Sequence, residues 1–211
     1  MSVTVDTRKT GLPYPAHLGT FTWATTPSAS AYAAGTTFRA SDVGISPGMV
    51  FVSDGTRWIP DGPQILGRSA SAVSGAADTA ENILATVTVP ANLLGLNGGL
   101  LAYSTWSYTN SANVKTLRLR FGGIGGTQYL LTTRTTEILM HDLRRIRNRN
   151  SASSQVGGAN SSMLSGLGAS ASALITSAND TTAAVDLVLT GQKATAGETL
   201  TLESYEVWLT P

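Results

Sequence analysis

Residues 116–121, Thr-Leu-Arg-Leu-Arg-Phe, are the stretch that decides the fold class of this chain. Leu117, Leu119 and Phe121 alternate with polar residues, and a period of two places the two sets on opposite faces of a β-strand. A strand with one apolar and one polar face is typical of an antiparallel sheet that covers a core on one side. The stretch therefore predicts a half-buried antiparallel strand.

Further strands are predicted on both sides of this one. Gly122–Gly126 forms a hairpin turn into the apolar stretch 128–132. Residues 138–146 fit both helical spacing and strand alternation, and their β-like neighbours favour a strand. The other segments with strand character are 83–89, in which Ile83, Ala85, Val87 and Val89 are expected on one face, 101–108, 185–190 and 199–209. Together they predict an antiparallel jelly-roll sandwich over residues 80–211.

The first 66 residues have a different texture, with six of the eight prolines in this stretch. Short apolar pieces lie between turn signals, and the pair Asp54-Gly55 between two of them indicates a hairpin. These features predict a small β module over residues 1–66. Residues 67–79 are small or polar apart from Val73 and predict a linker or an extended arm. The chain is thus predicted to be all-β, with a small irregular N-terminal β module followed by a C-terminal antiparallel jelly-roll sandwich.

The composition favours association with other copies of the chain. Charged residues make up 13% of the 211 residues, where soluble domains average about a quarter, and the formal net charge is +1. A surface in which 22 Ser and 29 Thr take the place of charged side chains is hard to keep soluble as a monomer. A homo-oligomer is therefore favoured over a secreted-type β domain with a neutral surface. The near-neutral chain gives no reason to expect nucleic acid as a partner.

The sequence carries few residues suited to catalysis. It has no cysteine, no apolar run of membrane-spanning length and no secretory signal at its N-terminus. The two histidines, His17 and His141, lack the spacing of a metal site, and His141 is expected to be a hydrogen-bonded structural residue. The acidic residues are scattered, and Glu203 and Glu206 fall on opposite faces of a strand. We expect no enzymatic activity, no cofactor and no membrane association.

Two groups of side chains are candidates for contact with other molecules. Arg144, Arg145 and Arg147 belong to the one concentration of charge in the chain and are expected at a subunit interface, paired with carboxylates of the last strand. Contact with nucleic acid phosphates is less expected, because no aromatic residue lies among the arginines. Trp106 and Tyr108 either pack in the core or at a trimer axis, or form a shelf on which a sugar could stack.

Several stretches resemble those of virion proteins of tailed bacteriophages. Residues 21–27, Phe-Thr-Trp-Ala-Thr-Thr-Pro, with 35–39 and 52–58, are similar to a small β module near the N-termini of phage fibres and related appendages. Residues 85–91 and 106–118 are similar to the jelly-roll part of phage virion proteins, including head fibres and decoration proteins. The resemblance implies attachment to the particle through residues 1–66, and the candidate attachment residues are Trp23, Phe38, Phe51 and Trp58.

By this resemblance residues 80–211 form the displayed domain of a structural virion protein. It would be a homotrimeric head fibre or capsid decoration protein, in contact with the major capsid protein or another virion protein. Its implied location is the virion, after assembly in the host cytoplasm. Two alternatives stay open, a tail fibre that recognises a host cell-surface glycan and a glycosidase that degrades surface polysaccharide. The Ser- and Gly-rich stretch 151–177 has no assigned role.

Overall fold

The computed structural model describes residues 16–158 and 174–211, which divide between two compact units. One unit runs to Leu66 and includes Leu209–Pro211, and the other is Gly67–Trp208. The predicted all-β fold class is confirmed. The strands are β1 (His17–Phe21), β2 (Thr37–Ala40), β3 (Met49–Ser53), β4 (Trp58–Pro60), β5 (Gln64–Ser69), β6 (Val73–Ser74), β7 (Asn82–Val89), β8 (Gly99–Tyr108), β9 (Lys115–Phe121), β10 (Thr127–Arg134), β11 (Leu139–Asn148), β12 (Gln155–Gly158), β13 (Leu174–Ser177), β14 (Val185–Lys193) and β15 (Leu200–Thr210), with short 3-10 helices at Trp23–Thr25 and Ala29–Ala31.

The N-terminal unit contains a four-stranded sheet in the order β1-β2-β3-β4. β1 and β2 are parallel, and the other neighbours are antiparallel. The predicted Asp54-Gly55 hairpin is confirmed between β3 and β4, where Asp54 Oδ1 accepts hydrogen bonds of 2.8 Å from the amides of Thr56 and Arg57. Desolvation acts to raise the pKa of Asp54, but these hydrogen bonds outweigh it and lower the pKa to about 2.

The second unit is an antiparallel sandwich of two sheets. The smaller sheet has the order β10-β9-β14-β7, and the larger has the order β13-β12-β11-β8-β15-β5, with β6 paired to β15. The chain passes repeatedly from one sheet to the other, from β7 to β8 to β9 and from β13 to β14 to β15, in the manner of a jelly roll. The inner faces bury mainly large apolar side chains, among them Leu100, Trp106, Leu117, Leu119, Phe121, Tyr129, Ile146, Leu187 and Leu189.

Strand β9 has the two faces that the sequence predicted. Leu117, Leu119 and Phe121 are fully buried, while the arginines between them lie on the outer face of the smaller sheet. There Arg120 Nε and Nη2 each lie 3.0 Å from a different oxygen of the Glu81 carboxylate. The outer face is therefore polar around Arg120, which is paired with Glu81. The ambiguous segment around 138–146 is a strand, β11, as predicted.

The predicted face of strand β7 is wrong at its beginning. Leu84 is buried and Ile83 is 51% exposed, although alternation placed Ile83 with Val87 and Val89. The pairing with β14 shows why, because Leu189 lies opposite Ala85 and the next residue, Thr190, lies opposite Ile83. One extra residue in β7 forms a bulge, and a bulge reverses the alternation of every side chain before it.

Residues 67–79, predicted as a linker, lie within the second unit. Their first residues belong to β5, and Val73–Ser74 is β6. Ser74 Oγ lies 2.8 Å from Thr201 Oγ1, and the amide of Gly75 donates to the carbonyl of Leu200 at 2.9 Å. The small and polar composition of this stretch thus belongs to an extended segment that is hydrogen-bonded to a sheet. Of the stretch 151–177, β12 and β13 are described, and residues 159–173 lie outside the described residues.

Candidate functional site

The four aromatic residues predicted for attachment contact one another in the N-terminal unit. The ring centroids of Trp23 and Phe51 are 4.7 Å apart, and those of Phe38 and Trp58 are also 4.7 Å apart. Phe38 and Phe51 stack at 5.4 Å and are both fully buried. Phe38 and Phe51 are thus core residues of the module, which corrects their assignment to an attachment surface. Trp23 and Trp58 are half-buried, and the indole N–H of Trp58 donates to the carbonyl of Pro27 at 2.7 Å.

Trp106 and Tyr108 do not form a shelf for a ligand. Trp106 is fully buried in the sandwich, and its indole N–H donates to Ser104 Oγ at 2.8 Å. Tyr108 is 4% exposed, and its hydroxyl donates to Glu137 Oε2 at 3.3 Å. Burial is the first cause that raises the pKa of Tyr108 to about 12, and the charge of Glu137 adds to it. Both residues belong to the inward face of β8, which is the core alternative that the sequence left open.

The three predicted interface arginines point to both faces of β11. Arg144 is buried, and its guanidinium binds the Asp142 carboxylate with contacts of 2.8 and 3.0 Å. Arg145 is exposed, and Arg147 is half-buried with its Nε donating to the carbonyl of Asn97 at 3.0 Å. Arg144 thus pairs with a carboxylate of its own strand, because alternation places residues 142 and 144 on the same face.

A groove of about 700 Å³ lies on the larger sheet of the second unit. It is formed by β8, β11 and β15 together with the segment that begins at the end of β5. The side chains that give it its chemistry are Arg68, Tyr103, Thr105, His141 and Tyr205. These residues come from four distant parts of the chain, and sequence reasoning missed the site. One feature of the sequence could have indicated it. In β8, Tyr103 and Thr105 alternate with the buried Trp106, so they lie on the opposite face of the strand.

The pairing of β8 with β11 positions the centre of the groove. The register sets Thr105 opposite His141 and Tyr103 opposite Leu143. Thr105 Oγ1 lies 3.0 Å from His141 Nδ1, so the hydrogen bond holds the imidazole in place and does not use Nε2. His141 is thus hydrogen-bonded, as predicted, but it is also exposed. Tyr103 is 43% exposed, so much of its ring is accessible from solvent.

The charged residues around the groove differ in accessibility. Arg68 is exposed, and Glu206 is half-buried with one carboxylate oxygen accepting a hydrogen bond of 3.2 Å from the Trp208 indole. The buried Asp142, which also lines the groove, is neutralised by Arg144 at 2.8 Å. Burial raises the pKa of Asp142, and the hydrogen bonds from Arg144 oppose that change. Because Glu206 follows Tyr205 on β15, its carboxylate lies on the opposite face of the strand from the Tyr205 ring, and the exposed charge at the groove is that of Arg68.

One side of the sandwich presents two strands that have a single neighbour within the described residues. These are β10 in the smaller sheet and β13 in the larger sheet. The hydroxyl of Tyr129 lies 2.7 Å from Ser177 Oγ and joins the two strands. Leu131 in β10 is 57% exposed, and Leu174 in β13 is 61% exposed. Open strand edges with exposed aliphatic side chains are surfaces to which another polypeptide can bind.

The acidic residues of the chain serve local structure where the structure describes them. A smaller cleft of about 310 Å³ contains Asp180 and Asp186. Asp180 accepts hydrogen bonds from the amide and hydroxyl of Thr182 at 2.9 and 2.7 Å, and Asp186 accepts one from Thr88 at 2.6 Å. The described part of the chain has no group of three His, Cys, Asp or Glu side chains that could hold a metal ion. It also has no helix that is long and apolar enough to cross a membrane.

Comparison with known proteins gives structural likenesses only. No known protein family matches the chain, and no curated protein matches it. Lectin I from Ulex europaeus, solved with the methyl glycoside of α-L-fucose, is 9% identical with a TM-score of 0.34, and the match covers 71% of this chain and 92% of the lectin. The VP2 subviral particle of infectious bursal disease virus is 12% identical with a TM-score of 0.29, over 83% of this chain and 37% of VP2. The Gt strain structure of that virus is 14% identical with the same TM-score, over 83% of this chain and 38% of that one. At these TM-scores the likenesses carry no functional conclusion.

Proposed function

We propose that this chain is a structural protein of a tailed-bacteriophage virion. In this proposal it is a homotrimeric head fibre or capsid decoration protein, attached to the particle by residues 1–66 and displaying residues 80–211. The resemblance of the stretches around 21–58 and 85–118 to phage appendage proteins supports the class of protein. The role needs contacts between subunits and with a virion protein, and it includes no catalytic step.

The observation that carries the proposal is the side of the sandwich where β10 and β13 lie. Each strand has an unpaired edge within the described residues, and each exposes a leucine, Leu131 and Leu174. Few charged side chains are available to prevent association, since only 13% of the residues are charged. Natural proteins normally protect such edges with charge, proline or a covering element. In a homo-oligomer the neighbouring subunit would supply that cover.

A test of self-association is sedimentation equilibrium on the full chain and on two variants. We expect the wild type to sediment as a trimer and Leu131→Glu or Leu174→Glu to shift it towards the monomer, because a buried charge at an interface is costly. Ile83→Glu is the matched control, since Ile83 is 51% exposed on β7 at the opposite edge of the smaller sheet. A wild type that sediments as a monomer would overturn the oligomer.

A test of location is gold labelling of the chain on intact virions of the phage that encodes it. Label on the head is the expected result, together with binding of the purified protein to capsids and not to cells. Label at the tail would favour the second candidate, a receptor-binding tail fibre, over the head fibre. In that case the free protein should adsorb to host cells and block infection. Virions without label would overturn both.

The second candidate, recognition of a host glycan, is favoured by the groove of Tyr103, His141 and Tyr205. It no longer rests on Trp106 and Tyr108, which are buried. The presence of the groove alone does not distinguish head from tail, since a displayed domain at either place could bind a glycan.

A further inference from the structure

We infer that the groove of Tyr103, Thr105, His141 and Tyr205 is a binding site for neutral oligosaccharide. The inference deepens the second candidate function, glycan recognition at this groove, on which it rests. It applies whether the protein lies on the head or on the tail. It rests on four properties of the groove, which are its size, its aromatic surface, its hydrogen-bonding groups and its charge.

The size of the groove suits one or a few sugar rings. Its volume of about 700 Å³ lies inside the range of roughly 300–1,000 Å³ that is usual for small-molecule sites. It is open on the solvent side of a sheet and not enclosed, so a chain of sugars could extend beyond it. The walls come from β8, β11 and β15, which are neighbours in the middle of the larger sheet, and a sheet of this kind keeps its shape without a ligand.

The aromatic surface consists of two tyrosines. Tyr103 is 43% exposed and Tyr205 is half-buried, and both line the groove. A tyrosine offers a flat apolar ring that ends in a hydroxyl, and it is held by only two side-chain torsions, so little entropy is lost on contact. A pyranose has the complementary surface, because its C–H bonds form an apolar patch and its rim carries hydroxyls.

The hydrogen-bonding groups are of the kind that hydroxyls require. His141 is oriented by its contact of 3.0 Å with Thr105 Oγ1, which leaves Nε2 for another partner. Ser69 Oγ accepts a hydrogen bond of 3.0 Å from the amide of Ser71, so its own proton remains for a ligand. The hydroxyls of Tyr103 and Tyr205 can donate or accept, and Arg68 adds donors at the same groove. Donors and acceptors are therefore both present, as a sugar hydroxyl needs.

The charge of the groove argues against an anionic ligand. Arg68 is the exposed charged side chain of the groove, and Asp142 is already paired with Arg144. Phosphate recognition is typically built on a cluster of arginines, and the groove-lining residues include one. A neutral polyol needs only matched hydrogen bonds. We therefore assign the ligand to neutral hexose or N-acetylhexosamine oligosaccharides.

The test is a glycan array probed with the full chain. The array carries neutral hexose and N-acetylhexosamine oligosaccharides beside sialylated and sulfated ones, and calorimetry then measures the affinity for the strongest ligand. We expect binding to neutral glycans, and we expect Tyr103→Ala and Tyr205→Ala each to weaken it by about fivefold or more, since an aromatic contact is lost. His141→Ala should also weaken it, through the loss of the imidazole.

The control is Leu139→Ser, which changes an exposed residue of β11 that does not line the groove and should leave the affinity unchanged. Unfolding curves establish that each variant is folded, and the two tyrosine variants give independent readings if one is not. Binding to anionic glycans alone, or no glycan binding at all, would overturn the inference. Undiminished binding by both tyrosine variants would also overturn it. The sedimentation and labelling experiments read out separate properties, so either proposal can fail without the other.

Discussion

The ammonium of Lys115 lies 3.0 Å from Glu198 Oε2, and the lysine side chain is fully buried. The same ammonium donates hydrogen bonds to Ser111 Oγ at 2.6 Å and to the carbonyl of Asn113 at 3.0 Å. The Glu198 carboxylate in turn accepts hydrogen bonds from the Ser111 hydroxyl and from Asn113 Nδ2, the latter at 2.9 Å. A lysine in this position is tolerated because the Glu198 carboxylate matches its charge and two oxygens accept its hydrogen bonds.

Removal of one partner of this ion pair should destabilise the sandwich. We expect Lys115→Ala to lower the free energy of unfolding by roughly 3–5 kcal/mol, because it leaves the Glu198 carboxylate without its cation and opens a cavity. The double variant Lys115→Met/Glu198→Gln should recover much of the loss. Urea unfolding measures both, with Arg145→Ala on the exposed face of β11 as the control that changes little. Equal midpoints for Lys115→Ala and the wild type would contradict this account.

The same carboxylate predicts a dependence on pH. Hydrogen bonds from Ser111 and Asn113 and the charge of Lys115 lower the pKa of Glu198 from 4.5 to about 2. A lowered pKa in the folded state stabilises the protein above the unfolded pKa, and this stabilisation is lost as the pH falls from about 5 towards 2. Glu198→Gln should therefore destabilise the protein at pH 7 and have almost no effect near pH 2. The measurement is the difference in urea midpoint between the two proteins across that range, and a constant difference would refute the assignment.

The glycine turn between β9 and β10 allows a comparison of neighbouring positions. A Cβ on Gly126 would overlap the backbone carbonyl of Phe121, whereas a Cβ on Gly125 would meet nothing within 4 Å. Gly126→Ala should cost about 1–3 kcal/mol, because the backbone must shift to make room. Gly125→Ala should stay within about 0.5 kcal/mol of the wild type. Thermal unfolding of the two variants measures the loss of stability caused by each substitution. Equal losses would mean that the backbone of the turn adjusts to a Cβ at position 126.

The aromatic cluster of the N-terminal unit predicts a local loss of stability. Phe38 is fully buried against Phe51 and Trp58, so Phe38→Ala should cost about 3–5 kcal/mol. Hydrogen exchange followed by mass spectrometry should show faster exchange over residues 37–60 and little change over 82–193. A conservative Phe38→Leu should have a smaller effect. Protection over 37–60 that equals the wild type would show that the cluster is not the core of this unit.

Sequence patterns were sufficient where side-chain position depends on neighbouring residues alone. The alternation of Leu117, Leu119 and Phe121 was enough to identify their face, because a strand has a period of two whatever it packs against. The Asp54-Gly55 hairpin was equally predictable, since the side chain of Asp54 bonds amides only two and three residues away. The bulge at Leu84 could not be predicted in this way. It is defined by the pairing of β7 with β14, a strand about a hundred residues later in the chain.

The amino-acid sequence by itself determined the all-β class, the buried face of β9 and the two hairpins, since these follow from local sterics and the period of the strand. Only the tertiary structure decided that Trp106 is core while Tyr103 is accessible beside His141 and Tyr205, and that Lys115 is buried against Glu198. Each of these outcomes depends on which strands pair and which sheet covers which face. Those contacts join residues far apart in the chain. They stabilise the fold only when both contacting strands are already in position.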